Sequence, residues 1–238
     1  MEPIIFAGHP AGSSLGLVAA FEWLGKPYRA TRVHMPDAML TEAYARVNGR
    51  QETPVLIRED GSVLTETMAI ARWLELRDDE HRISFAAGSA EAHRMHQFIG
   101  FLNTGFTGAF TPLWVALEMQ GGSEAYRQAL QTFGRDLVAR RHRQLEAMIG
   151  SSPYLVGDRP TLADAVFIGV ARWAEFHQAL DLTPFPKIQA LKARLEADPA
   201  VRFAHAIEDG VPATGSGALR GLLPLDEVLG GVAAPLAA

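Results

Sequence analysis

The chain has 238 residues, 48% of them hydrophobic and 21% charged, which is enough apolar content for a sizeable core in one large domain or two small ones. Its 22 Lys and Arg against 27 Asp and Glu leave a formal charge of −5, which argues against general nucleic-acid binding. With no cysteine and no run of about 20 apolar residues, disulfides, Cys-ligated metals, a protein thiol nucleophile and a membrane span are all set aside.

Met1-Glu2-Pro3 lacks the basic start and apolar run of a signal peptide, so a cytoplasmic location is the expectation. Ile4-Ile5-Phe6 reads as a short buried strand, followed by a small-residue loop from Gly8 to Ser14. Leu17, Ala20, Phe21 and Leu24 then fall at the i, i+3, i+4, i+7 spacing of a helix that Gly25 ends. Tyr28 to Val33 alternates as a second strand, and Met39 to Val47 predicts a short helix. Proline fixes φ and disfavours helix before it, so Thr53-Pro54 is an extended step. It leads into a strand, Val55-Leu56-Ile57, a turn at Asp60-Gly61 and a second strand at Val63-Leu64. A helix opens at Thr65-Glu66-Thr67, and the resulting β-α-β-α-β-β-α order matches a thioredoxin-like domain over residues 1–78. In this stretch Thr53 offers a strand edge to a peptide, and the helix start at Glu66-Thr67 offers free N–H groups to a carboxylate. A plain hairpin joined to a capped helix fits the same spacing.

Residues 79–88 read as a linker, and an all-helical domain follows over 89–208. One long helix runs from Ser89 to about Met119, bent or broken near Pro112, and another spans about 123–149. Thr161-Leu162-Ala163-Asp164 is a capping box opening a core helix. Two more helices follow, one marked by Ile188, Leu191 and Leu195, and one from Pro199 to near Glu208. Residues 209–238 form an extra tail with no helical period, free either to pack on the body or to stay loose. His93 and His96 are three apart on a helix but have no acidic partner in sequence, so they read as a surface pair and no metal site is expected. Arg140-Arg141-His142-Arg143 reads as a solvated helix face.

The run from Asn48 to Glu75 resembles the glutathione-binding half of the glutathione S-transferases, whose pattern is roughly N-P-x-G-x-V-P-x-L, a hairpin, then E-S/T-x-A-I and an aromatic or leucine. Asn48, Pro54, Leu56, Glu66, Thr67, Ala69 and Ile70 match; Gly49, Gln51 and Thr53 depart from it. Leu155-x-Gly157-Asp158-x-x-Thr161-x-Ala163-Asp164 resembles the second signature of that family. Phe110 to Trp114 and Ala171 to Ala174 look like helices of the cytosolic bacterial beta-like members. The resemblance implies glutathione as co-substrate, with no metal. It implies that Pro54 is cis, that Thr53 pairs with the cysteinyl backbone, and that Glu66 and Thr67 hold the γ-glutamyl end. It suggests His34, Arg50 and Gln51 as polar contacts for the glycyl end. It further implies a homodimer, in which the helix after the hairpin packs on the partner's long helices.

The reactive group is then the thiol of glutathione, with a free pKa of about 8.5, and each unit of lowering needs about 1.4 kcal/mol. A donating hydroxyl near a helix N-terminus can supply this. Aligned on Pro10 and Leu15, Ser13 falls where beta-like members carry cysteine and Ser14 matches the serine after it; either could be the donor, and either could merely cap the helix. His9 beside them could act as an acid or base or line the pocket. Thr107 occupies the position of a family histidine near the sulfur. Phe106, Phe110, Trp114 and Trp173 suggest a pocket for a small apolar electrophile. Three functions fit: conjugation of glutathione to that electrophile, reduction of disulfides or peroxides without an enzyme thiol, and non-catalytic binding on the same fold.

Overall fold

A computed structural model describes residues 1–231. The N-terminal half runs β1 (Ile4–His9), α1 (Ser14–Leu24), β2 (Tyr28–His34), α2 (Glu42–Val47), β3 (Val55–Ile57), β4 (Val63–Thr65) and α3 (Thr67–Glu75). This is the expected thioredoxin-like order. The helical half follows as α4 (Ala90–Gly100), α5 (Thr111–Glu118), α6 (Glu124–Met148), α7 (Leu162–Ala171), α8 (Trp173–Phe176), α9 (Pro186–Glu196) and α10 (Pro199–Asp209). The chain closes with β5 (Leu219–Leu223) and α11 (Leu225–Gly231).

The sheet has five strands in the order β4-β3-β1-β2-β5. β1 and β2 are parallel, while β3 and β4 return antiparallel as the hairpin. Side chains alternate between its faces. Ile5, Ala7 and Leu56 pack toward α1, α3 and the helical half, whereas Ile4, Phe6, Val55 and Ile57 pack with Tyr44 and Val47 of α2. α1 is buried nearly all round because it lies between the sheet, α7 and α10. Its crossing with α7 depends on missing side chains. A Cβ on Gly16 would sit 1.8 Å from the Ala165 carbonyl oxygen, and one on Gly169 would sit 2.4 Å from that of Ser13.

The segment between α3 and α4 is a built turn. The buried Asp78 carboxylate accepts from Arg82 N and Ile83 N at 2.8 Å and from Ser84 Oγ at 2.7 Å. Asp164 is likewise buried in its capping box, accepting from Thr161 N at 2.9 Å and Leu155 N at 3.0 Å.

Two expectations are corrected. The helix expected over 89–119 ends at Gly100; a π-helical turn (Phe101–Phe106) and a 3-10 turn (Thr107–Phe110) precede α5, where Pro112 sits in the first turn, a position that tolerates it. The tail is also structured. β5 pairs parallel with β2, and the N–H of Tyr28 donates to the Ala218 carbonyl at 3.1 Å. The buried Glu22 carboxylate accepts from Tyr28 Oη at 2.7 Å and from Ser216 N at 2.6 Å, while Val228 and Leu229 of α11 join the core on the α2 side of the sheet. The last part of the tail, 232–238, lies outside the described residues.

Candidate functional site

The ends of β1 and β2 and the approach to β3 each carry a cis X–Pro bond: His9–Pro10, Met35–Pro36 and Thr53–Pro54. The third is the one the sequence resemblance implies. These turns form one wall of a cleft of about 710 Å³, lined by Pro10 to Ser13, Met35, Pro36, Met39 and Gln51 to Thr53. Its other wall is helical: Trp114 and Leu117 to Gln120 at the end of α5, and Trp173 and Phe176 of α8. The volume suits a small organic ligand with most of its surface covered. The aromatic rings of that wall interlock, with Trp114 edge-on to Trp173 at 5.2 Å and stacked on Phe176 at 5.3 Å.

Ser13 stands at the N-cap of α1, half-buried on the cleft, and its hydroxyl makes no capping bond. α1 has no acidic residue in its first turn, so its free N–H groups and positive dipole end favour an anion here. Ser14 is placed differently. It is fully buried, and its Oγ accepts the N–H of Gly8 at 2.8 Å, so it does not reach the cleft. His9 also points elsewhere. A Cβ on Gly8 would meet Thr53 Oγ1 at 2.7 Å and Met35 Sδ at 2.8 Å, so Gly8 faces the cleft side and strand alternation turns His9 away. Its ring packs on His34 at 5.3 Å; burial and then the Arg32 and His34 charges lower its pKa, against a small opposing effect of Asp209. His34 is exposed off the cleft, with Nδ1 3.8 Å from Asp37.

Across the crevice, Thr53 makes no backbone hydrogen bond among the described residues, leaving its edge open, and its hydroxyl donates to Met35 Sδ at 3.3 Å. The Glu52 carbonyl is held by Tyr44 Oη at 2.9 Å and Asn48 Nδ2 at 2.8 Å, which fixes the approach to Thr53. Glu66 and Thr67 lie beside the cleft and not on its lining. Glu66 precedes α3 with φ 76° and ψ 126°, a backbone conformation rare for a residue with a side chain and most often kept at functional sites. Its carboxylate pairs with the guanidinium of Arg50, which also reaches Glu52 at 3.0 Å. Gln51, at φ 56°, lines the cleft itself.

The second-substrate residues divide. Trp114 and Trp173 line the cleft, but Phe106 and Phe110 are core: Phe106 packs on His142 and Phe167, and Phe110 stands edge-on behind Trp173 at 5.6 Å. Thr107 is half-buried off the lining. The π and 3-10 turns rotate the face that an unbroken α-helix would present. Met35, Met39, Leu117, Met119 and Phe176 take their place. Leu117 and Phe176 each lie three residues after a cleft tryptophan, an i, i+3 neighbourhood that identifies them from sequence. His96 has an acidic partner after all, Glu75 across the α3–α4 groove at 2.8 Å; among the described residues no group of three potential metal ligands forms.

Comparison with known proteins agrees with this architecture. Residues 14–77 match the family description "Glutathione S-transferase, N-terminal domain" and residues 109–199 match "Glutathione S-transferase, C-terminal domain". Glutathione S-transferase GstA of Escherichia coli O157:H7 is 24% identical over 201 residues, covering 84% of this chain and 96% of that protein. The crystal structure of a glutathione transferase from Methylococcus capsulatus superposes with a TM-score of 0.74 at 27% identity, covering 88% of this chain and all of that one. The beta class glutathione S-transferase of Sphingomonas chungbukensis shares the fold, with a TM-score of 0.72 at 21% identity over 91% of this chain and all of that one.

Proposed function

The chain belongs to the glutathione S-transferase family, and on that premise we propose that it activates the thiol of glutathione with the Ser13 hydroxyl and transfers the sulfur to an apolar electrophile. The observation that carries this reading is the position of Ser13, a cleft hydroxyl with no capping bond at a helix N-terminus. The tripeptide lies along the open Thr53 edge, and its γ-glutamyl carboxylate takes the free N–H groups at Thr67. Glu66 meets the charged groups of that end; Arg50, which the resemblance suggests for the glycyl end, is paired with Glu66 and so is assigned to the γ-glutamyl end instead, while Gln51 lines the cleft. A hydrogen bond from Ser13 Oγ to the sulfur favours the thiolate. The electrophile enters between Met35, Met39, Trp114, Leu117, Trp173 and Phe176, a wall of aromatic and thioether surface suited to a flat apolar molecule.

The proposal includes a cytoplasmic homodimer. Support for the pairing comes from the groove between α3 and α4, where Met68 is exposed beside Ala71, Ala92, His96 and Ile99. Calorimetry with glutathione tests the binding half: millimolar or tighter binding is expected, weakened about tenfold or more in Glu66→Ala through loss of a charged contact. Activity against a model aryl halide and a small disulfide tests the chemistry. Turnover of the halide supports transfer, and turnover of the disulfide alone would favour a reductase. No binding of glutathione at any concentration tested would contradict both.

A further inference from the structure

We propose that Arg172 is a positioning residue for thiol activation, acting through the loop that carries Ser13; this rests on the reading of Ser13 given above. Arg172 joins α7 to α8, and its side chain is mostly buried. Its guanidinium grips both oxygens of the buried Glu208 carboxylate, and its Nη2 also donates to the Gly12 carbonyl at 2.9 Å. Glu208 is in turn tied to the sheet, since its main-chain carbonyl accepts from Arg32 Nη2 at 2.6 Å. The next residue, Trp173, donates Nε1 to the Ala11 carbonyl at 2.7 Å. The Ser13 carbonyl rests against Gly169 of α7. The helical half therefore holds two successive carbonyls of the loop by hydrogen bonds and packs against the third.

The carbonyl of a trans peptide points opposite to the N–H that follows it. Holding the Ala11 and Gly12 carbonyls thus fixes the directions of the Gly12 and Ser13 N–H groups, and with them the start of α1. The loop needs outside support. Ala11 is at φ 57°, and Ser13 lends no cap of its own. Stability alone explains a buried ion pair poorly, because desolvation offsets its attraction; fixing one arrangement is the better-attested use. Arg172 suits that use because its rigid planar fork grips both carboxylate oxygens and a carbonyl in one fixed geometry, whereas the ammonium of lysine is a point charge without that fork.

The test is the thiol pKa of bound glutathione, followed by thiolate ultraviolet absorbance, together with turnover, in Arg172→Lys, Glu208→Gln, Ser13→Ala and the double variant Arg172→Lys/Ser13→Ala. In Arg172→Lys the thiol pKa rises and kcat falls roughly ten- to a hundredfold while KM for glutathione stays within about threefold, the pattern of a displaced catalytic group. Glu208→Gln moves the pKa the same way; a fall there would mean that the charge of Arg172 acts directly, and would overturn the positioning role. In the Ser13→Ala background the Arg172 substitution adds nothing, whereas additive effects would contradict action through Ser13. An unchanged thiol pKa in Arg172→Lys with only a lower melting temperature would reduce the contact to a structural bridge. If Ser13→Ala itself leaves the pKa unmoved, the serine reading falls first, a result separable from failure of the Arg172 variants alone.

Discussion

Two adjacent hydroxyls at the start of α1 face different surroundings, and each predicts a different phenotype. Ser13 lines the cleft and its hydroxyl makes no capping bond, so Ser13→Ala should leave the melting temperature nearly unchanged while raising the thiol pKa of bound glutathione. Ser14 Oγ accepts a buried N–H, so Ser14→Ala should cost about 1–3 kcal/mol of stability by orphaning the Gly8 donor. Urea denaturation of the two variants checks this; equal losses would mean that Ser13 also caps. The sequence could not separate the pair, because the distinction is which way each side chain points relative to Gly8. His9 escaped for the same reason. Its neighbours on the far side of the strand, Arg32 and His34, come from β2, and register with β2 sets them there.

At the scale of elements, local chemistry was legible wherever it obeys a short-range rule. The capping box at Thr161–Asp164 and the left-handed Gly25 that ends α1 stand where their residues predict. The π turn at 101–106 carries no such signal, because Phe101-Leu102-Asn103-Thr104-Gly105-Phe106 is compatible with an ordinary helix. Its effect is to bury Phe106 and Phe110 around His142 of α6. That imidazole, part of a run that reads in sequence as a solvated face, is instead 1% exposed; its Nδ1–H donates to the Val138 carbonyl at 2.8 Å, and its pKa is pushed down to about 4 by burial, outweighing the carbonyl's opposing pull. Its folded pKa lies below the unfolded value of 6.5, so its contribution is fully present above pH 6.5 and is lost as pH falls toward 4. The stability difference between wild type and His142→Leu should therefore narrow or reverse by about 3 kcal/mol between pH 7 and pH 4. Denaturant titrations at both pH values measure it, and a pH-independent difference would show that the ring protonates freely in the folded state.

For the whole molecule, the two-part architecture was readable because the order of strand and helix periods changes once, near Asp78. The tail was not readable. β5 is a five-residue strand and α11 a seven-residue helix in a Gly-, Ala- and Leu-rich context, and both are specified by what they cover. Deleting residues 211–238 bares the β2 edge and removes Val228 and Leu229 from the core. The expected cost is about 3–6 kcal/mol with increased association through the open edge. Denaturation and light scattering check it, and an unchanged melting temperature would mean that the tail contributes nothing. The cleft likewise exists only at this scale, since its wall of Trp114, Leu117, Trp173 and Phe176 meets Ser13 and Thr53 across the two halves. A crystal structure with glutathione bound tests the central claim most directly. The proposal predicts the tripeptide paired along Thr53, its γ-glutamyl carboxylate at Thr67, and its sulfur within hydrogen-bonding distance of Ser13 Oγ. Glutathione seated with its sulfur away from the Pro10–Ser13 loop, with another protein atom as nearest neighbour, would contradict it.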